Sequence, residues 1–280
     1  MEADAVRQRL HPEGMVSYTV EYNVGPPAAD ESMYAQIAEA VGLGGTGVRL
    51  VGGAGRDGGC AIEGLERIFL GVKERFPAVW VSGLSAAEIS EIARGCGLGL
   101  RETIERLRGA GLDSIAEDGP ILDGLSAFSM AEWVDVHRTA HETGMQTGAT
   151  MVFGGSESIG QRMDFLEAMR RLQEETGGFT AFVPVSAEAP GGRELDGVTA
   201  VERLKTLAIS RMFLDNVENV QASWTGQGLK VLQMGLRFGA NDLGPVGAGG
   251  GSEEDLRRII RDAGFRPVQR DPMYRTMFLN

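Results

Sequence analysis

Short apolar runs rich in β-branched residues alternate along the chain with longer stretches in which apolar positions recur every three or four residues. The short runs are typical of strands buried in a parallel sheet, and the longer stretches are typical of amphipathic helices that cover it. The predicted strands are Val16–Tyr22, Thr46–Val51, Ala78–Ser82, Leu112–Ile115, Thr147–Phe153, Thr180–Pro184, Val217–Ala222 and Arg237–Ala240. The predicted helices are Glu31–Val41, Ile62–Arg75, Ala86–Arg94, Leu100–Gly109, Met130–Thr143, Ile159–Thr176, Ala200–Leu214, Gly228–Leu236 and Glu253–Asp262.

This succession of strand–helix units predicts an α/β fold and favours a (β/α)₈ TIM-like barrel over a doubly wound sheet. The same pattern is compatible with a barrel that is incompletely closed. No shift in composition marks a boundary, so we expect residues 1–280 to form a single domain. The active sites of such barrels lie at the carboxyl ends of the strands, which is where we expect the chemistry of this chain.

The net negative charge of the chain argues against polyanionic binding partners. The chain carries 39 acidic and 27 basic residues, a formal net charge of −12, which disfavours nucleic acid and anionic membranes as partners. No apolar run reaches the ~20 residues of a membrane span, and no leader peptide is recognisable, so a cytoplasmic location is expected. The expected partner is a small-molecule ligand, and a homo-oligomer or a hetero-oligomer both stay open.

Three acidic residues are candidates for acid–base catalysis. Glu21 ends the first predicted strand, Glu117 follows the fourth, and Asp242 follows the eighth. Carboxylates that converge on one barrel mouth raise each other's pKa, which suits proton transfer near neutral pH. The alternative for Asp242 is a cap for the turn that follows.

Four polar or aromatic residues are candidates for binding a ligand. Arg49 lies within the second predicted strand, where a buried guanidinium needs a carboxylate partner unless it extends into the helix layer. Gln221 and Trp224 surround the end of the seventh strand, and Asn241 precedes Asp242. We expect these side chains to position a ligand at the mouth.

Glycine-rich turns follow the second and the fifth predicted strands. Gly52 and Gly53 follow Val51, and Gly154 follows Phe153 with Glu157 close behind. Such turns can present backbone N–H groups to a carboxylate or phosphate, and Glu157 can accept hydrogen bonds from hydroxyl groups. The alternative is that both are plain turns, the second one carrying a solvated acid.

The histidines and cysteines do not predict a metal site. His137 and His141 share one helical face, but a ligand set needs a third group, so we expect two partly exposed helix histidines. Cys60 and Cys96 are expected to be unpaired thiols, and two cysteines cannot hold a four-iron cluster.

Several runs of the chain are similar to the futalosine-pathway menaquinone enzymes of the radical SAM superfamily. The resemblance covers nearly the whole chain and implies a radical-SAM-type barrel. The runs that carry it are Arg9–Gly14, Val16–Tyr22, Gly44–Thr46, Gly52–Gly53, Ala110–Ile115, Arg138–Glu142, Glu175–Phe182, Leu214–Asn216, Gln221–Trp224, Leu236–Asp242 and Ile260–Pro267. The resemblance further implies that Gly52 and Gly53 lie near the amino group of S-adenosylmethionine, and that Phe153–Glu157 lies near its nucleoside.

The chain departs from this family at the mouth of the barrel. The family carries a CxxxCxxC loop after the first strand, whose thiolates hold a [4Fe–4S] cluster, and no CxxxCxxC occurs here. Residues Asn23–Asp30 run directly into the first predicted helix, and Ala116–Pro120 replaces a glycine-rich loop. We therefore expect no [4Fe–4S] cluster and no cofactor, and S-adenosylmethionine, if it binds, would lack its iron anchor.

The sequence thus leads to a hypothesis with two alternatives. The hypothesis is a cluster-free enzyme that acts on a small nucleoside-like or aromatic carboxylate metabolite by polar acid–base chemistry, such as cyclisation, isomerisation or elimination. One alternative is a catalytically silent paralogue or partner of a menaquinone-pathway radical SAM enzyme. The other is a loop-deleted form of such an enzyme.

Overall fold

The computed structural model describes residues 2–25, 30–51, 60–120, 122, 128–189, 193–194, 198–223, 228–246 and 252–279. The helices are α1 (Glu2–Leu10), α2 (Asp30–Gly42), α3 (Ile62–Arg75), α4 (Ala86–Cys96), α5 (Leu100–Ala110), α6 (Met130–Glu142), α7 (Ile159–Thr176), α8 (Ala200–Phe213), α9 (Gly228–Gly235) and α10 (Glu253–Asp262). The strands are β1 (Met15–Val24), β2 (Gly47–Leu50), β3 (Trp80–Gly83), β4 (Ser114–Ile115), β5 (Thr147–Phe153), β6 (Phe179–Ser186), β7 (Glu188–Ala189), β8 (Arg193–Glu194), β9 (Asn219–Val220), β10 (Asp242–Val246), β11 (Arg266–Arg270) and β12 (Thr276–Leu279).

Parallel strands form a ring in the order β1, β2, β3, β4, β5, β6, β9 and β10. Continuous ladders join β1 to β4, β5 to β9 through β6, and β10 back to β1. Between β4 and β5, and between β9 and β10, the ring is joined only by single β-bridges. These pair Asp118 with Ala149 and Gln221 with Asp242. The predicted (β/α)₈ TIM-like barrel is therefore confirmed, in its incompletely closed form.

Local sequence signals explain where several helices begin. Helices α4, α6 and α7 follow Ser85, Ser129 and Ser158, whose hydroxyls accept the N–H of the third helical residue. In each case that residue is Glu or Gln and returns a hydrogen bond to the serine, which completes a capping box. None of the helices in the described ranges combines the length and apolar character of a membrane span.

The strands separate an apolar outer layer from a polar interior. Large side chains such as Trp133 on α6, Phe165 on α7 and Phe182 on β6 are fully buried between the helices and the ring. Side chains alternate between the two faces of a strand, so the same strands also carry residues into the barrel. Of the eight candidate site residues that the structure describes, the interior holds five, namely Glu21, Arg49, Glu117, Gln221 and Asp242.

A C-terminal β-hairpin covers the amino end of the barrel. Strand β11 runs parallel to the first half of β1, and β12 returns antiparallel to β11. Pro272 and Met273 in the turn line one cavity together with Trp80, Gln146 and Thr180, which lie at or next to the amino ends of β3, β5 and β6. The turn therefore lies across the amino end of the ring, opposite the predicted mouth.

The eighth predicted strand, Arg237–Ala240, is wrong. These residues form turns after α9, with Arg237 N–H donating to Met234 O and Ala240 N–H donating to Gly235 O. The strand that completes the ring is β10, Asp242–Val246, whose Gly244 and Pro245 are depleted in strands and obscure its pattern. Asn241 and Asp242 therefore lie at the amino end of this strand and not beyond its carboxyl end.

Candidate functional site: the charged interior of the barrel

The structure brings Glu21, Arg49, Glu117, Gln221 and Asp242 together inside the ring. Glu21, Arg49 and Glu117 line one cavity of about 40 Å³ with Arg270 from the hairpin. This is the cavity that Pro272 and Met273 cover at the amino end of the ring, so the expected position at the carboxyl-end mouth is wrong. Gln221 approaches Glu117, and Asp242 binds Arg270. A cavity of this size has room for only a few water molecules or one small group of a ligand.

Asp242 forms a closed ion pair with Arg270. Arg270 Nε and Nη2 donate to the two carboxylate oxygens over 2.6 and 2.9 Å, and both side chains are almost fully buried. Ser17 Oγ (2.5 Å) and Gly244 N–H (2.7 Å) donate to the same carboxylate. Burial lowers the pKa of Arg270, but Asp242 and its other neighbours raise it by more, so the guanidinium stays charged. The predicted role of Asp242 as an acid–base residue at the mouth is therefore corrected to a buried counter-ion.

Arg270 is a residue that the sequence analysis missed. Its signal was a charged residue at the end of an apolar β-strand pattern, Phe265–Arg270, which calls for a buried partner. The identity of the partner was not readable, because Asp242 lies 28 positions earlier.

Glu21 has the most strongly altered environment among the predicted acids. Loss of hydration inside the barrel raises its pKa, Arg270 and Arg49 lower it, and the carboxylates of Glu117 and Asp242 raise it again. The net pKa lies above the ordinary value of 4.5. The carboxyl group is thus shifted toward its protonated form, which is the state a general acid needs.

Arg49 and Glu117 form a loose ion pair. Arg49 Nη2 lies 3.8 Å from Glu117 Oε2, beyond hydrogen-bond distance, and the two side chains are 29% and 27% exposed. Arg49 points into the barrel, so the alternative that it extends into the helix layer is wrong. Its guanidinium makes no hydrogen bond to another side chain among the described residues, which leaves donors for a ligand.

Gln221 connects this pair to the hairpin. Its Nε2 donates to Tyr274 Oη over 2.9 Å and lies 3.5 Å from Glu117 Oε1. Tyr274 has a φ of 60°, which is rare for a bulky residue, and Arg270 stacks 3.7 Å from the centre of its ring. Burial raises the pKa of Tyr274 well above its ordinary value, so the phenol stays neutral.

Asn241 is engaged by the protein itself. Its Oδ1 accepts the N–H of Val220 over 2.9 Å, and its Nδ2 donates to Asn219 Oδ1 over 2.9 Å. The side chain therefore ties β9 to β10. Because both polar atoms of the side chain bind the protein, a structural role is evident, and the prediction that Asn241 positions a ligand stays a prediction.

Glu157 is also occupied by internal contacts. Its oxygens accept the N–H groups of Gly154 (2.6 Å) and Gly155 (2.8 Å), and Arg162 Nε donates over 2.7 Å. Burial raises the pKa of Glu157, but these donors outweigh it and hold the pKa below its ordinary value. Gly154 has a φ of 89°, and a Cβ there would lie 2.2 Å from Val198. These contacts stabilise the turn, and the predicted ligand contacts of Gly154 and Glu157 stay predictions.

The remaining ligand-binding candidates, Gly52, Gly53 and Trp224, lie outside the described residues. Their predicted roles stay predictions.

The expectation of partly exposed histidines is wrong for His137, which is buried, and is confirmed for His141, which is half-buried. His137 is fully buried, and its Nδ1 lies 2.9 Å from Thr147 Oγ1, while Nε2 of His141 lies 2.8 Å from the same hydroxyl. Burial, with His137 nearby, lowers the pKa of His141 to about 3, so this imidazole is neutral. No group of three or more His, Cys, Asp or Glu side chains in the described ranges is placed to hold a metal ion.

The prediction that Cys60 and Cys96 are unpaired thiols is wrong. They form a disulfide with a Cα–Cα distance of 4.6 Å, which joins the residue before Ala61 and α3 to the last residue of α4. Their separation of 36 residues gave no indication of this pairing. It arises because the fold packs the two helix ends together.

The chain is similar in sequence to a known protein family and to its characterised members. A family model described as the CofH/MqnC C-terminal region matches residues 176–279. Cyclic dehypoxanthine futalosine synthase of Halalkalibacterium halodurans is 32% identical over 266 residues, which cover 88% of this chain and 71% of that protein. The chain belongs to the CofH/MqnC family. The resemblance to futalosine-pathway enzymes is thereby confirmed.

This CofH/MqnC family member also resembles aminodeoxyfutalosine synthase of Thermus thermophilus, with 34% identity over 231 residues and 73% of the chain covered. The chain spans only 62% of the length of that relative. The solved structure of the FeFe-hydrogenase maturase HydG from Carboxydothermus hydrogenoformans aligns with a TM-score of 0.72 at 13% identity, covering 98% of this chain and 72% of that one. This likeness concerns the fold alone, and it supports the TIM-like barrel.

The residues of this CofH/MqnC family member do not fit the iron–sulfur cluster that the resemblance implies. Such a cluster needs three or four thiolates. The sequence contains two cysteines, and the structure joins both of them in the disulfide. The chain therefore lacks the thiolates that would hold such a cluster.

Proposed function

We propose that this protein is a cluster-free enzyme that binds a small nucleoside-like or aromatic carboxylate metabolite and acts on it by polar acid–base chemistry. The observation that carries the proposal is the loose pair of Arg49 and Glu117 beside the carboxyl group of Glu21. Both relatives described above are named for the synthesis of futalosine compounds, which supports a role in a related pathway.

Arg49 is the proposed anchor for the carboxylate of the ligand. The planar guanidinium presents paired N–H donors that match the two oxygens of a carboxylate. Arg270 has the same chemistry, but Asp242 already occupies its donors. Arg49 is held by Glu117 only at 3.8 Å and keeps solvent access, so a ligand can bind it without breaking a hydrogen bond.

Glu117 and Glu21 are the proposed proton-transfer groups. Glu117, ion-paired with Arg49, accepts a proton from the ligand, and Glu21, whose raised pKa favours the protonated form, returns one at a second atom. Removal and return of a proton suffice for an isomerisation. In an elimination or a cyclisation the acid protonates the leaving or newly formed oxygen instead.

Ligand binding tests this proposal with defined probes. Calorimetric titration with benzoate and with adenosine is expected to show binding to the wild-type protein. Arg49→Met should weaken benzoate binding by about tenfold or more, the contribution of a charged hydrogen-bonded pair. Arg171→Met, on the exposed surface of α7, is the matched control and should leave binding unchanged. Benzoate affinity that is equal in wild type and Arg49→Met would contradict the anchor.

A catalytically silent paralogue or partner is the second candidate. It is favoured because the chain lacks the free thiolates that a cluster needs. The cavity beside Arg49 and Glu117, at about 40 Å³, is also small for a whole substrate. A silent partner would co-purify with a cluster-bearing relative and raise the activity of that relative. Turnover by this protein alone, lost in Glu117→Gln and kept in the exposed control Glu175→Gln, would favour the enzyme.

A further inference from the structure

A slot lies between α7 and α8 on the outside of the barrel, away from the charged interior. We name it the α7–α8 slot and define it by Met151, Met163, Leu166, Thr206, Ile209 and Ser210, which line a volume of about 380 Å³. Met151 lies on β5, three positions after Gly148, which lines the interior cavity. Because side chains alternate along a strand, the slot and the interior lie on opposite faces of β5.

Ion pairs hold the two helices at both ends of the slot. Near the amino ends, Arg162 Nη2 on α7 donates to Glu202 Oε1 on α8 over 3.0 Å. Near the carboxyl end of α8, Arg170 Nη1 donates to Asp215 Oδ1 over 2.6 Å and to the carbonyl of Phe213 over 2.5 Å. The α8 positions that line the slot between these bridges include the short side chains of Thr206 and Ser210, which leave space beside Ile209.

The lining combines exposed apolar surface with polar groups that lack partners. Ile159 and Val201 at the rim are 76% and 60% exposed, and Ile209 is 46% exposed. Ser210 is fully buried, and its hydroxyl has no hydrogen-bond partner within the described ranges. Lys205, also on the lining, makes no ion pair with any residue that the structure describes. Apolar walls with a few placed polar groups characterise small-molecule sites.

We propose that the α7–α8 slot binds a small amphipathic anion. A flat apolar body lies between Met163, Leu166 and Ile209, and an anionic group faces Lys205. The volume of about 380 Å³ is at the lower end of the range for ligand pockets, which fits a molecule of one or two fused rings. This site is independent of the reaction proposed for the barrel interior.

The probe for this site is 1-naphthoate, titrated by calorimetry against the full chain carrying Arg49→Met, because the anchor proposed in the barrel interior would also bind an aromatic carboxylate. The expected result is one saturable site that Thr206→Leu weakens about tenfold or more by filling the slot. Lys205→Gln should weaken binding about two- to fivefold, the range of an exposed ion pair. Uncharged 1-naphthylmethanol should bind this protein equally with and without Lys205→Gln.

Matched controls separate the slot from the rest of the molecule. Lys230→Gln, on the exposed surface of α9, should leave naphthoate binding unchanged. Arg49→Met, in the barrel interior, is the common background of these titrations, so a failure of the proposed function is distinguishable from a failure here. The thermal midpoint of each variant verifies folding, and Lys205→Gln, on the exposed surface, is the milder second variant.

Two results would overturn the proposal. One is naphthoate binding that neither Thr206→Leu nor Lys205→Gln alters. The other is a dimer in light scattering that Ile159→Glu dissociates, because a second copy of the chain would then cover the slot.

Discussion

Two ion pairs in the same barrel differ in how completely the protein satisfies them. Asp242 and Arg270, at the amino end, are buried and joined by two short hydrogen bonds, with Ser17 and Gly244 as further donors. Arg49 and Glu117 lie 3.8 Å apart and keep more than a quarter of their exposure. The first pair holds structure and has no capacity left for a ligand. The second pair is held weakly enough to exchange its partner.

The largest expected effect comes from breaking the closed pair. Asp242→Ala leaves the Arg270 guanidinium buried without a counter-ion, which should lower the free energy of unfolding by about 3–5 kcal/mol. Urea denaturation measures the loss. Glu117→Gln breaks the loose pair in the same barrel and should cost less than about 1 kcal/mol, as for other exposed pairs. Equal losses in the two variants would remove the distinction between the pairs.

The disulfide between Cys60 and Cys96 is expected to stabilise the helix layer outside the ring. Reduction, or Cys96→Ser, releases the link between Cys60 and α4 and should destabilise the fold by about 3–4 kcal/mol for a loop of this length. The measurement is the urea midpoint with and without dithiothreitol. The Cys60→Ser/Cys96→Ser double variant should no longer respond to the reductant. A wild-type midpoint that is insensitive to dithiothreitol would show that the disulfide does not form.

A smaller effect separates two glutamates by the sign of their pH dependence. The pKa of Glu21 is raised in the folded protein, so its contribution to stability falls as the pH rises from 4.5 through the folded pKa. The pKa of Glu157 is lowered, so its contribution is present above 4.5 and is lost as the pH falls through the folded pKa.

Glutamine variants of Glu21 and Glu157 test these opposite pH dependences of stability. Glu21→Gln should gain stability over the wild type as the pH rises from acidic to neutral. Glu157→Gln should lose stability at neutral pH and approach the wild type in acid. Urea unfolding across this pH range checks both, and parallel profiles for the two variants would contradict the assigned environments.

Elements with strong local signals were predictable from the sequence. The helices Ile62–Arg75, Ile159–Thr176 and Glu253–Asp262 and the strand Thr147–Phe153 occur with the predicted bounds. Each has an apolar repeat of its own period, and several begin at a serine cap. The convergence of Glu21, Arg49 and Glu117 was also predictable, because parallel strands bring matching positions to one interior.

Features that depend on distant partners were not predictable. Strand β10 contains Gly244 and Pro245, so its apolar signal is weaker than that of the preceding turn around Phe238. Misplacing this strand moved Asp242 to the wrong end of the barrel. Arg270 and Cys96 are the partners of Asp242 and Cys60. The tertiary fold brings each pair together from distant positions, so no local sequence pattern predicts the pairing.

Iron and acid-labile sulfide per chain after anaerobic reconstitution show whether this barrel holds an iron–sulfur cluster. We expect no stoichiometric cluster, and the same residual iron in the wild type and in the Cys60→Ser/Cys96→Ser variant. We also expect no 5′-deoxyadenosine after addition of S-adenosylmethionine and a reductant. A full cluster per chain, with formation of 5′-deoxyadenosine, would contradict this expectation.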